Sequence, residues 1–280
     1  MMAEYTHRVS DEEARRIQRF LYGVAVGTVL FVAIMIVAVI TAPRWIKLIS
    51  HESERRFIAP HVEWVAEYLL EEGDPVLQAY VDRLGREIAA EMDLPSELQL
   101  RFIVIEGSAV NAFTTLGGHI FVLDGLVREL DNENSLAMVL AHEIAHAKNR
   151  DPLSGASRGI LLQILISSVR SNSGIDPRGG AETGLELLLN DYSREQEEAA
   201  DRLALIGLQK RYGHTGGATR LFEALSAAYG DSEVPEILSS HPHVGDRIAA
   251  INALIAEKGW ESRATVPHPA EVQDALSSRP

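Results

Sequence analysis

No cysteine occurs among the 280 residues. Disulfides, thiolate zinc sites and a cysteine nucleophile are thereby excluded, while the redox compartment is left open. Positive charge is scarce as well: 26 Lys and Arg against 40 Asp and Glu leave a net charge of −14. Nucleic acid is not an expected partner, because gripping phosphates needs a basic surface. Long apolar runs are confined to one place. Residues 20–41, FLYGVAVGTVLFVAIMIVAVIT, hold no charge over 22 positions. As a helix rising about 1.5 Å per residue, such a run matches the ~30 Å hydrocarbon core of a bilayer.

A soluble core helix of that length would carry a polar stripe. A cleaved signal peptide would have a shorter apolar region, a compact basic start and a small-residue cleavage site. Here a mixed-charge polar head, residues 1–19, precedes the run, and the run ends in ITAPRW without an Ala-x-Ala signal. A retained single-pass anchor is expected, with a lipid bilayer as the partner of residues 20–41. Arg8, Arg15, Arg16 and Arg19 on one flank balance Arg44, Lys47, Arg55 and Arg56 on the other, so the positive-inside rule does not choose an orientation. Retention of the short head in the cytoplasm is the simpler arrangement. It puts the large domain outside, on the periplasmic side.

Residues 42–75 read as a charged connector with helical character. Globular patterning begins near 76 and extends to about 258. In VLQAYVDRLGREIAAEM, residues Val76, Leu77, Tyr80, Val81, Leu84 and Ile88 share a helical face. LQLRFIVIEG alternates Leu98, Leu100, Phe102 and Val104 and reads as a strand, and HIFVLDG after Gly117-Gly118 reads as another. Residues 159–169, GILLQILISSV, are too short to span and read as a core helix or a membrane-surface patch. RSNSGIDPRGGAETG, 170–184, reads as a surface loop, either a plain connector or a lid. Two more helices are expected near 217–229 and 244–257. The Pro- and Ser-containing residues 259–280 are expected to form a flexible, non-globular tail.

The stretch VLAHEIAHAKNRDP, 139–152, places His142 and His146 one helical turn apart with Glu143 beside them. Two imidazoles on one face suit one metal ion, and a neighbouring carboxylate suits a general base acting on water: the metallopeptidase pattern. Asp131, Asn132 and Asn134 offer caps for this helix, and Asp151-Pro152 stops it. The surrounding helix is apolar (Leu136, Ala137, Val139, Leu140, Ala141, Ile144, Ala145). Two unliganded histidines there would be costly to bury. A catalytic zinc usually has three protein ligands. A third histidine six residues on is excluded, because Asn149 and Pro152 occupy the positions such a motif needs. The helix starting at Ser193 offers Glu195, Glu197 and Glu198. Glu197 shares a face of mostly small, apolar residues with Ala200, Asp201, Ala204 and Leu208, whereas Glu195 and Glu198 flank Arg202. Glu197 is therefore the preferred ligand. Asp201, one turn on, is placed to orient a ligand histidine.

Four ordered segments resemble the HtpX–BepA–Oma family of membrane-linked zinc metallopeptidases, which is related to the CAAX prenyl endopeptidases. They are NAFTTLGGHIFV (111–122), HEIAH (142–146), SREQEEAAD (193–201) and SSHPHVGDRIAAI (239–251), and the resemblance covers roughly residues 76–255. It implies an α+β, mostly helical gluzincin domain with a small sheet, preceded by one transmembrane helix. It implies one zinc ion per chain held by His142, His146 and Glu197, with Glu143 as base and Asp201 in support. It also implies that the strand after Gly118 is an edge strand. An extended protein or peptide substrate would then pair there, near Asn111, His119, Ile120 and Phe121. His241 and Arg247, with His243 as the weaker alternative, become candidates for stabilising the oxyanion or positioning substrate. In some relatives a histidine here caps the open zinc position. HtpX-type members carry further spans and BepA-type members carry helical repeats, so the arrangement is closest to single-anchor, Oma-like or small periplasmic members. Quality control of membrane or envelope proteins is the implied role. Against it stand a tethered chaperone or scaffold with a structural zinc, and a hydrolase of non-peptide amides. A purely structural zinc would have no use for Glu143.

Overall fold

The structure, a computed structural model, describes residues 11–56, 71–155, 192–229, 241 and 244–278. The segments 159–169 and 170–184, together with His243, lie outside them. Two compact units divide at Ala42 and Pro43.

The first unit belongs to a single helix, α1 (Asp11–Trp45). The expected span of 20–41 is contained in it, and the helix runs further at both ends. Asp11, Glu12 and Glu13 sit in its first turn, where acidic side chains favour the helix dipole, and Arg16 pairs with Glu12 at 2.9 Å. Residues 11–19 of the expected polar head are therefore helical. Within α1 a 32-residue stretch, Asp11–Ala42, is long and apolar enough to cross a membrane.

The second unit opens with a 3₁₀ turn, Ile46–Leu48, and helical residues 51–56. Helix α2 (Pro75–Ala90) starts from Asp74, which caps Val76 N–H, with Pro75 in the first turn. Its buried face is Leu77, Tyr80, Val81, Leu84 and Ile88; Val76 is exposed. Strands β1 (Arg101–Ile105), β2 (Ala112–Thr114) and β3 (His119–Leu123) form a sheet in the order β1-β3-β2. β3 runs parallel to β1, with Arg101 opposite His119, and antiparallel to β2, with Thr114 opposite Ile120. α2 packs on β1 so closely that a Cβ at Gly85 would fall 2.5 Å from the Phe102 ring, a contact only glycine allows.

The edge position expected for HIFVL is thus corrected: β3 is the middle strand. Its first four residues are all buried, as happens when both faces of a strand are covered. Among the described residues, β2 lies beyond it, at the opposite edge of the sheet from β1.

Helix α3 (Asp124–Glu129) leads to α4 (Glu133–Asn149). Asn132 caps Ser135 N–H at 2.9 Å, and Arg150, left-handed at φ 58°, ends the helix. Every residue of α4 from Glu133 to Ala147 is buried. α5 (Arg194–Tyr212) begins with a capping box between Ser193 and Gln196 and ends at Gly213, φ 73°. It packs extensively against α4 through Ala200, Ala204, Leu205 and Leu208, all fully buried. Burying each such leucine stabilises the fold by roughly 1.5–3 kcal/mol. α6 (Arg220–Tyr229), α7 (Val244–Lys258) and α8 (Ala270–Ser278) complete the unit.

The expected flexible tail is also corrected, for residues 259–278. Glu133 N–H donates to Val266 O (2.8 Å), and Val266 N–H donates to Asn134 Oδ1 (2.7 Å). Buried His268 shares a 2.7 Å hydrogen bond with Tyr80 OH and lies 2.8 Å from Leu130 O. Val272 of α8 is buried in the core. The segment is held by a few isolated anchors, and these leave no periodic signal among its prolines and serines.

Candidate metal centre

α4 delivers His142, Glu143 and His146 from one buried helix, and α5 delivers Glu197 and Asp201 from the facing one. Nε2 of His142 and Nε2 of His146 are 3.0 Å apart. Glu197 Oε2 lies 3.4 Å from the first and its Oε1 3.4 Å from the second. His241 brings Nδ1 to 2.9 Å from Glu197 Oε1 and 3.4 Å from His142 Nε2. These four residues are buried, and each offers one ligand atom within 4.8 Å of the others.

The protonation pattern explains what such a cluster can hold. His142 Nδ1 lies 2.9 Å from Asp201 Oδ1, and His146 Nδ1 lies 2.9 Å from Asp151 Oδ2. An Nδ1 proton donated to each carboxylate leaves both Nε2 lone pairs facing inward. Two lone pairs and a carboxylate at this spacing repel unless a cation sits among them. Burial and the Arg247 charge oppose protonation of His142, but hydrogen bonds to Asp201 and Glu197 outweigh them and raise its pKa to about 9. Burial pushes the His241 pKa down, favouring the neutral imidazole a metal requires. Burial also works against ionisation of Glu197, yet the imidazoles of His142, His146 and His241 around it hold its carboxyl well below the usual range. The donor set, imidazole nitrogens with one carboxylate, suits zinc.

Around the cluster, Arg247 of α7 donates to both oxygens of Asp201 (Nε 2.8 Å, a terminal nitrogen 2.7 Å), and its other terminal nitrogen lies 2.7 Å from Glu197 Oε2. Burial raises the Asp201 pKa, but the bonds from Arg247 and His142 override it and lower it to about 2. The Arg247 guanidinium also stacks over the Phe222 ring at 4.6 Å. Glu143 is 2% exposed. Thr114 Oγ1, on β2, is 2.8 Å from Glu143 Oε2 and 2.8 Å from its backbone carbonyl. Glu143 Oε1 lies 3.6 Å from His241 Nε2. Tyr192 stacks on His146, with centroids 4.0 Å apart, and its hydroxyl donates to Thr114 O at 3.3 Å.

Of the sequence-expected residues, His142, Glu143, His146, Glu197, Asp201, His241 and Arg247 come together. His241 stands among the ligand atoms, and Arg247 is engaged by the two acidic side chains behind them. Asn111, His119, Ile120 and Phe121 do not join the cluster. Asn111 accepts Leu123 N–H on its backbone carbonyl, His119 Nδ1 is 3.2 Å from Leu116 O, and Ile120 and Phe121 fill the core. Asp151, Thr114 and Tyr192 were not anticipated. An aspartate five residues beyond the second histidine was the available signal for Asp151, but it is indistinguishable in sequence from a helix stop.

Residues 75–255 match Peptidase family M48. The chain belongs to peptidase family M48. The match runs from the first residue of α2 to within α7, so it contains every residue of the metal centre. The M48 chain is 29% identical over 189 residues to the beta-barrel assembly-enhancing protease of Escherichia coli (strain K12), covering 63% of this chain and 38% of that protein. It is 27% identical over 212 residues to the mitochondrial metalloendopeptidase OMA1 of Homo sapiens, covering 69% and 40%. The mitochondrial metalloendopeptidase OMA1 of Schizosaccharomyces pombe is 29% identical over 202 residues, covering 68% and 58%. The chain therefore spans less than two thirds of the length of these relatives. Their family is the one that the four sequence segments resemble.

Proposed function

We propose that this M48 chain is a membrane-anchored zinc endopeptidase that hydrolyses peptide bonds, with its catalytic domain on the periplasmic side and a role in membrane or envelope protein quality control. The observation that carries the proposal is the convergence of His142, His146 and Glu197 on one point, with Glu143 Oε1 3.6 Å from Nε2 of His241, which stands among the same ligand atoms. A bound zinc ion would supply Lewis acidity and make water a stronger nucleophile at neutral pH. Glu143 takes the proton of the attacking water and passes it to the leaving amine. Thr114 fixes Oε2 of Glu143 by hydrogen bond, which leaves Oε1 for proton transfer. Asp201 and Asp151 hold the ring orientation of His142 and His146.

Substrate would lie along β2 instead of β3. Asn111 and Thr115 direct their backbone groups toward β3, so those of Ala112 and Thr114 point the other way, as edge pairing requires, with the Thr114 carbonyl accepting the Tyr192 hydroxyl. An apolar recess lined by Met138, Val139, Ala218, Leu221, Phe222 and Leu225 adjoins His142 and Glu143. It suits an apolar substrate side chain next to the scissile bond. The role in quality control is favoured by the name of the Escherichia coli relative, which ties that protein to β-barrel assembly. A tethered chaperone with a structural zinc is disfavoured by the polar fixing of Glu143, which a structural site does not need.

The test is hydrolysis of casein by the detergent-solubilised full chain, with zinc content measured in parallel. Glu143→Gln is expected to retain zinc and lose turnover by at least about 100-fold, the scale of a general base. Equal turnover in the two proteins would sink the peptidase assignment.

A further inference from the structure

Arg150 combines two unusual features. It is a non-glycine residue in the left-handed region (φ 58°, ψ 40°), which costs about 1–2 kcal/mol, and its side chain is 10% exposed. That backbone turn is what returns Asp151 to His146. Among the described residues, the side chain is held by the segment that follows α1. It donates to Glu54 Oε2 at 2.6 and 3.2 Å, to Lys47 O at 2.9 Å, and to Ile49 O. The other oxygen of Glu54 accepts Gly117 N–H at 2.9 Å. Gly117 lies in the turn between β2 and β3, three residues from Thr114. Lys47 Nζ donates to Asn149 O, the last residue of α4, at 2.7 Å, where the helix dipole favours a cation. It also lies 3.5 Å from Asp151 Oδ1.

None of Lys47, Ile49 or Glu54 can take part in the chemistry, yet their contacts reach both halves of it. One route runs from Lys47 and Arg150 through Asp151 to the ligand His146. The other runs from Glu54 through the Gly117 turn and β2 to the base Glu143. We propose that residues 47–54, which join α1 to the catalytic domain, are a positioning strut for the metal centre. Lys47, Glu54 and Arg150 set metal affinity and turnover from outside the ligand shell. The proposal rests on His146 being a metal ligand. It makes the segment adjoining the membrane-crossing helix a functional part of the site instead of a passive tether.

The test measures zinc affinity of the full chain in detergent by chelator competition, alongside kcat and KM on casein and the folded fraction of the metal-free protein. The variants are Lys47→Met, Glu54→Gln and Lys47→Arg. Lys47 is partly exposed, so Lys47→Met keeps the test decisive even if Glu54→Gln fails to fold. Lys47→Met is expected to weaken zinc binding about 10-fold, the effect of losing a partner that orients a ligand. It should also lower kcat with KM unchanged and the metal-free fold intact, and Lys47→Arg should restore both. Wild-type zinc affinity in Lys47→Met, or a loss that Lys47→Arg does not rescue, overturns the strut. Full turnover in Glu143→Gln would instead overturn the peptidase assignment, while the zinc affinities still decide the strut.

Discussion

Oδ2 of Asp151 sits 2.9 Å from Nδ1 of His146, and its partner oxygen accepts Gln196 Nε2 at 2.9 Å. One buried carboxylate therefore ties the end of α4 to the start of α5. Burial alone would raise its pKa, but the hydrogen bonds from His146 and Gln196 lower it, so it stays ionised and keeps the His146 proton on Nδ1. Asp151→Asn removes the charge and is expected to weaken zinc binding about 10- to 100-fold. Chelator competition measures this; unchanged zinc retention would show that His146 orients itself without the carboxylate.

Thr114→Val tests the holding of Glu143, the proposed general base. The substitution keeps shape and removes the hydroxyl that meets Glu143 at both its carboxylate and its carbonyl. A hydrogen bond to a charged group contributes about 1.5–3 kcal/mol, so kcat is expected to fall roughly 10- to 100-fold with zinc content intact. A fall in zinc content of the same size would mean that Thr114 supports the helix and not the base.

How much of this could be read beforehand depended on how local each signal is. His142, Glu143 and His146 follow from spacing on one helix. Glu197 follows from a helical wheel, because Ala200, Ala204 and Leu208 mark the face that packs. The strand HIFVL was legible as a strand, but its place in the sheet is a matter of pairing between segments, and β2 is only three residues long. Asp151 escaped because its role depends on a left-handed arginine, a conformation no local preference predicts. The closing segment escaped because its anchors, His268 and Val272, are too few to form a pattern.

Arg247→Met tests the ion-pair network behind the ligands. Arg247 is 5% exposed and bridges Asp201 and Glu197. Removing one partner of a buried charge network costs about 3–5 kcal/mol. The metal-free variant is expected to melt well below the wild type, and added zinc should recover part of the loss, because a bound cation compensates Glu197. A melting temperature equal to wild type without metal would mean that the carboxylates find other partners.

His241 poses the sharpest question of function. With Nδ1 2.9 Å from Glu197 Oε1 and Nε2 3.6 Å from Glu143 Oε1, it stands between the proposed zinc ligand and the proposed base. On the proposed mechanism water attacks between these two groups, so the resting arrangement is predicted to be latent and His241 to move aside before turnover. The active fraction then falls about tenfold for each 1.4 kcal/mol by which the closed form is favoured. His241→Ala keeps the three proposed zinc ligands, His142, His146 and Glu197, and removes the plug. Casein hydrolysis is expected to rise about tenfold, for a closed form favoured by that amount, with zinc content preserved. If turnover falls instead while zinc is retained, His241 acts on the transition state, as an oxyanion donor would. The KM–kcat split separates the two cases: an unplugged site gains kcat/KM for every substrate, whereas a lost oxyanion donor lowers kcat and leaves KM in place.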